Sequence, residues 1–197
     1  SSRELVDWLN ETNDSKGIVS KTIVALEKFE AGSRKDILTT VVGKIRLNLK
    51  HLEDANKILW NRLFDFVMNQ DLSKDRRQTI LRINRATRTQ PDWSTIEVSW
   101  EQNNAALLDL KESFLDLSLA LENTPKKNAA DSLQLTTVIS DITTKLDEFK
   151  KALYDFVIDP HSGNIYWVTT ESNNEDVNLH TAPIHVGEIL KEKLFSK

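Results

Sequence analysis

The segment from Ile96 to Leu121 reads IEVSWEQNNAALLDLKESFLDLSLAL and decides the fold. Its apolar residues alternate at spacings of four and three, a repeat of about 3.5 residues that is typical of long bundle helices and coiled coils. A capping box at Ser94 and Glu97 predicts where this helix begins, and Pro125 predicts where it ends. The seam consists of Ile96, Trp100, Asn103, Leu107, Leu110, Phe114, Leu117 and Leu121.

Two other segments repeat this spacing, one from Leu38 to Phe66 and one from Leu135 to Phe156. Three long helices joined by breakers should fold back on each other in antiparallel fashion. Shorter helices predicted within residues 1–30 would supply a fourth member. Asn56 and Asn103 interrupt two of the seams, and a buried polar seam residue usually fixes register. We therefore expect these two amides to lie in one layer and to hydrogen-bond.

The last forty residues change character. A turn-forming cluster at 159–164 precedes two predicted strands, Ile165–Thr170 and Val177–Thr181, and a short helix predicted over 187–195. The predicted fold class is therefore mainly α, an antiparallel bundle of three long and one or two short helices with a small C-terminal β-hairpin and a short terminal helix. The predicted domains are residues 1–158 and 159–197. Because two strands alone form no stable sheet, the hairpin is expected to belong to a larger one.

Composition excludes several kinds of chemistry. The chain of 197 residues has no Cys, so it can hold neither a disulfide nor a Cys-ligated metal. It contains no phosphate-binding, dinucleotide-binding, esterase or zinc-protease motif, and its four His are scattered. We predict no catalytic, cofactor-binding or metal-binding residue in this chain. The apolar runs are too short for a membrane span, and a cytoplasmic location is expected.

The distribution of charge points to one segment. The chain carries a net charge of −4, yet residues 71–92 hold six basic and three acidic side chains. Arginine suits phosphate because its planar fork binds two oxygens, and aromatic rings stack on unpaired bases. The alternative is a solvated basic loop that pairs with the acidic helices. The predicted nucleic-acid-binding residues are Lys74, Arg76, Arg77, Arg82, Arg85, Arg88 and Trp93.

The C-terminal strands carry a family resemblance. The sequences Tyr166-Trp167-Val168, Leu179–Ile184, Gly187–Leu190 and Leu194-Phe195 resemble the stretch before the S/T-A/G-T-L motif of DinG-type helicases, in the XPD-like branch of superfamily 2. Thr181 replaces the common Ala of that pattern, and His185 replaces the common Asp. The helices upstream are similar to the family's arch domain in layout only.

The resemblance implies that this chain is an arch fragment with the following strands of the first motor domain. It implies an ATP-dependent DNA helicase as the parent, a hydrolase of DNA repair whose motor domains supply the ATP and Mg²⁺ sites. The implied partners are single-stranded DNA, bound weakly, and the remaining motor domains. Some Gram-positive members of the family carry an exonuclease domain, which leaves nuclease activity of the parent open.

A second class of function uses the same seams. A stand-alone helical-bundle adaptor or a coiled-coil homodimer would also need long helices whose apolar residues repeat about every 3.5 residues. The terminal strand pair distinguishes a helicase arch fragment from an adaptor, because a bundle adaptor does not need these strands. An independent enzyme ranks third, since it would require a cleft of converging polar groups.

Overall fold

A computed structural model of the chain describes residues 33–70, 78–122, 129–171 and 176–184. In chain order the elements are α1 (Ser33–Gln70), β1 (Gln78–Ile83), α2 (Arg85–Arg88), α3 (Trp93–Glu122), α4 (Ala129–Val157), β2 (Asn164–Glu171) and β3 (Asp176–Pro183). The described chain is mainly helical with a C-terminal hairpin, which confirms the predicted fold class. The helices predicted within residues 1–30 and over 187–195 lie outside the described residues.

The apolar seams form the core. Every position of the seam in α3, from Ile96 to Leu121, is buried, including Asn103. In α1 the seam is buried from Ile45 to Phe66. In α4 it is buried except at Phe149, which is half-buried. The spacing in the sequence therefore identifies which face of each long helix is removed from water.

The contacts fall into two compact units, whereas the sequence predicted a boundary at residue 158. One unit holds residues 59–100 and 152–184 of the described chain, and the other holds the described residues up to Ile58 together with 101–151. The long helices contribute to both units, so the boundary passes through α1, α3 and α4 instead of falling in a loop. The hairpin belongs to the first unit.

Within the second unit α1 and α3 run antiparallel. Lys44 Nζ lies 2.8 Å from Asp116 Oδ2. One turn further along α1, Asn48 Nδ2 donates to Ser113 Oγ at 2.8 Å. Partner numbers on α3 thus fall as those on α1 rise, which is the direction expected for two helices folded back on each other.

Asn56 and Asn103 continue this series. Asn103 Nδ2 donates to Asn56 Oδ1 at 2.6 Å, and both side chains are fully buried. The predicted hydrogen bond between the two seam amides is confirmed. The other amide atoms, Asn56 Nδ2 and Asn103 Oδ1, have no partner among the described residues. A buried unpaired donor or acceptor costs about 1–3 kcal/mol, so this bond holds the register at a cost in stability.

The sheet of the first unit has a strand that the sequence analysis missed. The order is β1-β2-β3, and both pairings are antiparallel. β1 comes from the basic segment 71–92, in which the sequence predicted no strand. Thr79 and Ile83 are buried while Ile80 and Arg82 are exposed, so the strand alternates between two faces. The hairpin thereby gains the third strand that a stable sheet requires.

Replacing the seam amides should show non-additive changes in the free energy of unfolding. Asn56→Leu leaves the Asn103 amide buried without a partner, and it should destabilise the chain by about 1–3 kcal/mol. The double variant Asn56→Leu/Asn103→Leu removes both polar groups, and it should recover most of that loss. Urea denaturation of the four proteins measures the coupling. Additive single-variant effects would contradict the role of this bond.

Stability should also depend on Glu53. Burial, followed by the charge of Asp54, raises the pKa of this carboxyl, and Lys50 opposes the rise. A carboxyl whose pKa is higher in the folded than in the unfolded chain holds its proton more tightly when folded. Its ionisation therefore lowers stability as pH rises through the interval between the two pKa values. Glu53→Gln should raise the thermal midpoint at neutral pH and leave it unchanged well below the ordinary pKa of glutamate. A gain of equal size at both pH values would contradict this.

Candidate nucleic-acid interface

Two of the predicted arginines project into solvent. Arg82 lies on the exposed face of β1, and Arg85 is exposed at the first residue of α2. A capping box positions this short helix, because Thr87 N donates to Asn84 Oδ1 at 3.0 Å and Asn84 N donates to Thr87 Oγ1 at 3.3 Å. No ion pair engages Arg82 or Arg85 within the part of the chain that the structure describes. Their guanidinium groups can therefore bind phosphate without breaking an ion pair to another described residue.

Arg88 has a different environment. Its guanidinium carbon lies 5.7 Å from the ring centre of Trp93 and 5.3 Å from that of Tyr166, so aromatic rings flank the cation. Its Nη2 donates to the Phe156 carbonyl oxygen at 2.7 Å. Burial lowers the pKa of Arg88 from its usual value. Arg88 is thus half-buried in the first unit, where it is bonded to the end of a helix, and the prediction that it contacts nucleic acid stays a prediction.

Trp93 is fully buried. Its ring meets Phe66 edge to face with centroids 5.2 Å apart, and its Nε1 donates to the Val157 carbonyl oxygen at 3.3 Å. An indole enclosed in this way has no free face on which a base could stack. The expectation that Trp93 stacks on unpaired bases therefore conflicts with its burial in this conformation.

Arg88 and Trp93 instead share a structural task at the end of α4. The last carbonyl groups of a helix lack partners within the helix, and a cation there also meets the negative end of the helix dipole. The carbonyls that Arg88 and Trp93 bind belong to Phe156 and Val157, the last two residues of α4. Their hydrogen bonds therefore join the segment after β1 to the end of α4.

The remaining predicted residues Lys74, Arg76 and Arg77 lie outside the described residues. Within the described ranges, no group of three or more His, Asp or Glu side chains is placed to hold a metal ion. No helix in the described part of the chain is both long enough and apolar enough to cross a membrane.

The structure adds two residues that the sequence analysis did not select. Trp167 and His180 are cross-strand neighbours on β2 and β3, and their rings stack with centroids 5.0 Å apart and an interplanar angle of 6°. Arg82 is the partner of Trp167 on β1. Cross-strand partners share a face of the sheet, so Arg82, Trp167 and His180 form one row. Period-two alternation along the two predicted strands could have placed Trp167 and His180 on one face, but β1 had to be known before Arg82 joined them.

Comparison of the chain with protein families, with curated proteins and with solved structures finds no match.

Substituting Arg88 should change the free energy of unfolding more than substituting the exposed Arg85. Arg88→Ala removes a hydrogen bond to a helix end and a half-buried cation next to two aromatic rings, and it should cost about 1–3 kcal/mol. Arg85→Ala removes an exposed side chain and should change stability by less than about 0.5 kcal/mol. Chemical denaturation followed by circular dichroism compares the two. Equal losses would contradict the division into exposed and packed arginines.

Proposed function

We propose that this chain is the arch region of a DinG-type ATP-dependent DNA helicase, with the strands that follow it in the first motor domain. In this proposal it guides single-stranded DNA beside the motor. The observation that carries the proposal is the resemblance of the C-terminal segment, whose Tyr166-Trp167-Val168 lies in β2 and whose Leu179–Pro183 lies in β3. These two quoted stretches are hydrogen-bonded neighbours in one sheet.

The open edges of the sheet are consistent with a larger parent. β1 and β3 are the outer strands, and neither has a second neighbour among the residues that the structure describes. An edge strand presents unpaired backbone N–H and C=O groups that another strand can use. The remaining motor domains are the proposed partner, and they would also supply the ATP and Mg²⁺ sites.

The proposed contact with DNA rests on exposed cations. Arg82 and Arg85 are both accessible and lie on consecutive elements, β1 and α2. The packed Arg88 and Trp93 support this surface because they hold α2 and the start of α3 against the end of α4. Binding through so few phosphate contacts should be weak and sensitive to salt.

An interaction adaptor is the second candidate, and one observation favours it. The outer side of α3 carries exposed apolar residues at spacings of four and seven, in addition to the buried seam. Leu108, Leu115 and Leu119 are 40%, 46% and 58% exposed. A second apolar stripe of this kind on a helix could meet a helix of another copy. The chain would then act through self-association.

Salt dependence and substitution test the DNA contact. The chain should bind a single-stranded DNA of about 15 nucleotides, and its affinity should fall steeply between about 50 and about 200 mM salt. Arg82→Ala/Arg85→Ala should weaken binding and flatten the salt slope by about 1.4, because two phosphate contacts are lost and each contributes about 0.7 on a single strand. Fluorescence anisotropy of a labelled strand measures both quantities.

A matched control removes two exposed cations elsewhere. Arg46 and Lys57 lie on the exposed side of α1, and Arg46→Ala/Lys57→Ala changes the net charge by the same amount. The control should retain the affinity and salt slope of the unaltered chain. Equal loss in the two double variants would mean that net charge, not a defined surface, governs binding, and it would contradict the proposed contact.

The molar mass in solution, measured by light scattering after size-exclusion chromatography, distinguishes the arch proposal from the adaptor proposal. The arch proposal expects a monomer whose mass does not change in Leu115→Lys/Leu119→Lys, because these exposed side chains lie outside the buried seam. A dimer that this variant converts to a monomer would favour the adaptor. The variant should remain folded, since it leaves the buried seam intact.

A further inference from the structure

One face of the sheet carries a row of one cation and two aromatic rings. Arg82, Trp167 and His180 stand side by side on β1, β2 and β3. Arg82 is exposed, and the two rings are half-buried. The opposite face holds Ile83, Tyr166 and Val168, which are all buried. The sheet therefore turns one apolar face to the core and a mixed aromatic and cationic face outward.

The two rings of the row are held in place. Their planes differ by 6°, and Thr169 Oγ1 lies 2.9 Å from His180 Nε2, which fixes the orientation of the imidazole. Thr169 itself is buried at 7% exposure. A ring held in this way loses little rotational freedom when a further planar group stacks beside it, so binding entails a small ordering cost.

Trp167 is flanked by His180 on β3 and by its cross-strand partner Arg82 on β1. Ile80, which is 66% exposed, precedes Arg82 on the same face. Among the described residues, His180 is the one aromatic ring stacked on Trp167. Aromatic platforms on an antiparallel sheet with a neighbouring cation bind unpaired nucleobases, because each base offers a π-face and each nucleotide carries a phosphate.

The charge on this face suits an anionic ligand, and the stacked rings beside it suit a nucleobase. Arg82 provides a cation in the row, and the exposed Arg85 follows it within three residues. Among the side chains that the structure describes, the carboxylate on this face is that of Glu171, which lies at the other end of β2, opposite Gln78. A strand of nucleotides could therefore place a base against Trp167 and its phosphate near Arg82 without approaching that carboxylate.

We propose that Trp167, stacked on His180, is a platform for one unpaired nucleobase, and that Arg82 binds the adjoining phosphate. The platform rests on the proposed function and specifies it, because it assigns base stacking to the sheet where the sequence assigned it to the buried Trp93. The ligand class is single-stranded nucleic acid, read by stacking and not by sequence.

A comparison of two strands with the same phosphates isolates stacking. The probes are a labelled oligothymidylate of about 15 nucleotides and a strand of equal length with abasic sites at every position. The unaltered chain should bind oligothymidylate at least about fivefold more tightly than the abasic strand. Trp167→Leu should abolish this preference, whereas Trp167→Phe, which keeps an aromatic face, should retain most of it. Tyr154→Leu removes an exposed aromatic ring from α4 and serves as the matched control.

Two further variants keep the test independent of the folding of Trp167→Leu. His180→Ala removes the ring that supports the indole and should reduce the preference for bases. Arg82→Gln should weaken binding of both strands equally and leave the preference unchanged. Circular dichroism and thermal melting verify that each variant is folded.

The outcomes separate this proposal from the proposed function. Binding of both strands with equal affinity would overturn the platform and leave the phosphate contact standing. A base preference that survives both Trp167→Leu and His180→Ala would also overturn the platform. Failure to bind either strand at low salt would overturn both proposals. A dimer that dissociates in Trp167→Leu, without any binding of DNA, would assign this face to a second copy of the chain.

Discussion

The register between α1 and α3 depends on one hydrogen bond between amides inside apolar seams. Leucine packs against leucine in many registers that differ by a turn, so an apolar seam alone specifies position poorly. The bond from Asn103 to Asn56 exists in one register only, because a shift by a turn would bury both amides without a partner. The polar contacts of Asn48 with Ser113 and the Asp109 carbonyl, in the same unit, obey the same alignment. Polar groups thus supply the specificity and the leucines supply most of the burial.

The long helices could be predicted because their signal is repeated many times. Each seam runs through several turns, so a single polar slot such as Asn56 does not obscure it. The two amides could be paired from the sequence because antiparallel folding fixes which positions meet. The strands β2 and β3 were also predictable, since Ile165–Thr170 is rich in β-branched and aromatic residues between turn-forming clusters.

β1 could not be recognised from the sequence because its alternation of inward and outward residues is short and includes a charged residue. Only Thr79, Leu81 and Ile83 turn inward, and the intervening Arg82 made the segment read as part of a basic loop. Its identity as a strand depends on β2, which lies some eighty residues later in the chain. The candidate site was hard to predict for the same reason, because the environment of each arginine depends on distant elements of the chain. A count of basic residues does not separate Arg85, which is in water, from Arg88, which lies between Trp93 and Tyr166. That distinction requires knowing where α4 ends.

The outer strands have no further strand neighbour among the described residues, and this has a practical consequence for handling the protein. β1 spans six residues and β3 eight, and proline at the last position of β3 blocks only one potential donor. Exposed strand edges invite intermolecular pairing when protein is concentrated, and the exposed Ile80 increases the apolar area available to such pairing. Precipitation or fibril formation on storage would therefore begin at the sheet, while the helices remained intact. Lysine at the Ile80 position offers a route to more soluble material for crystallisation.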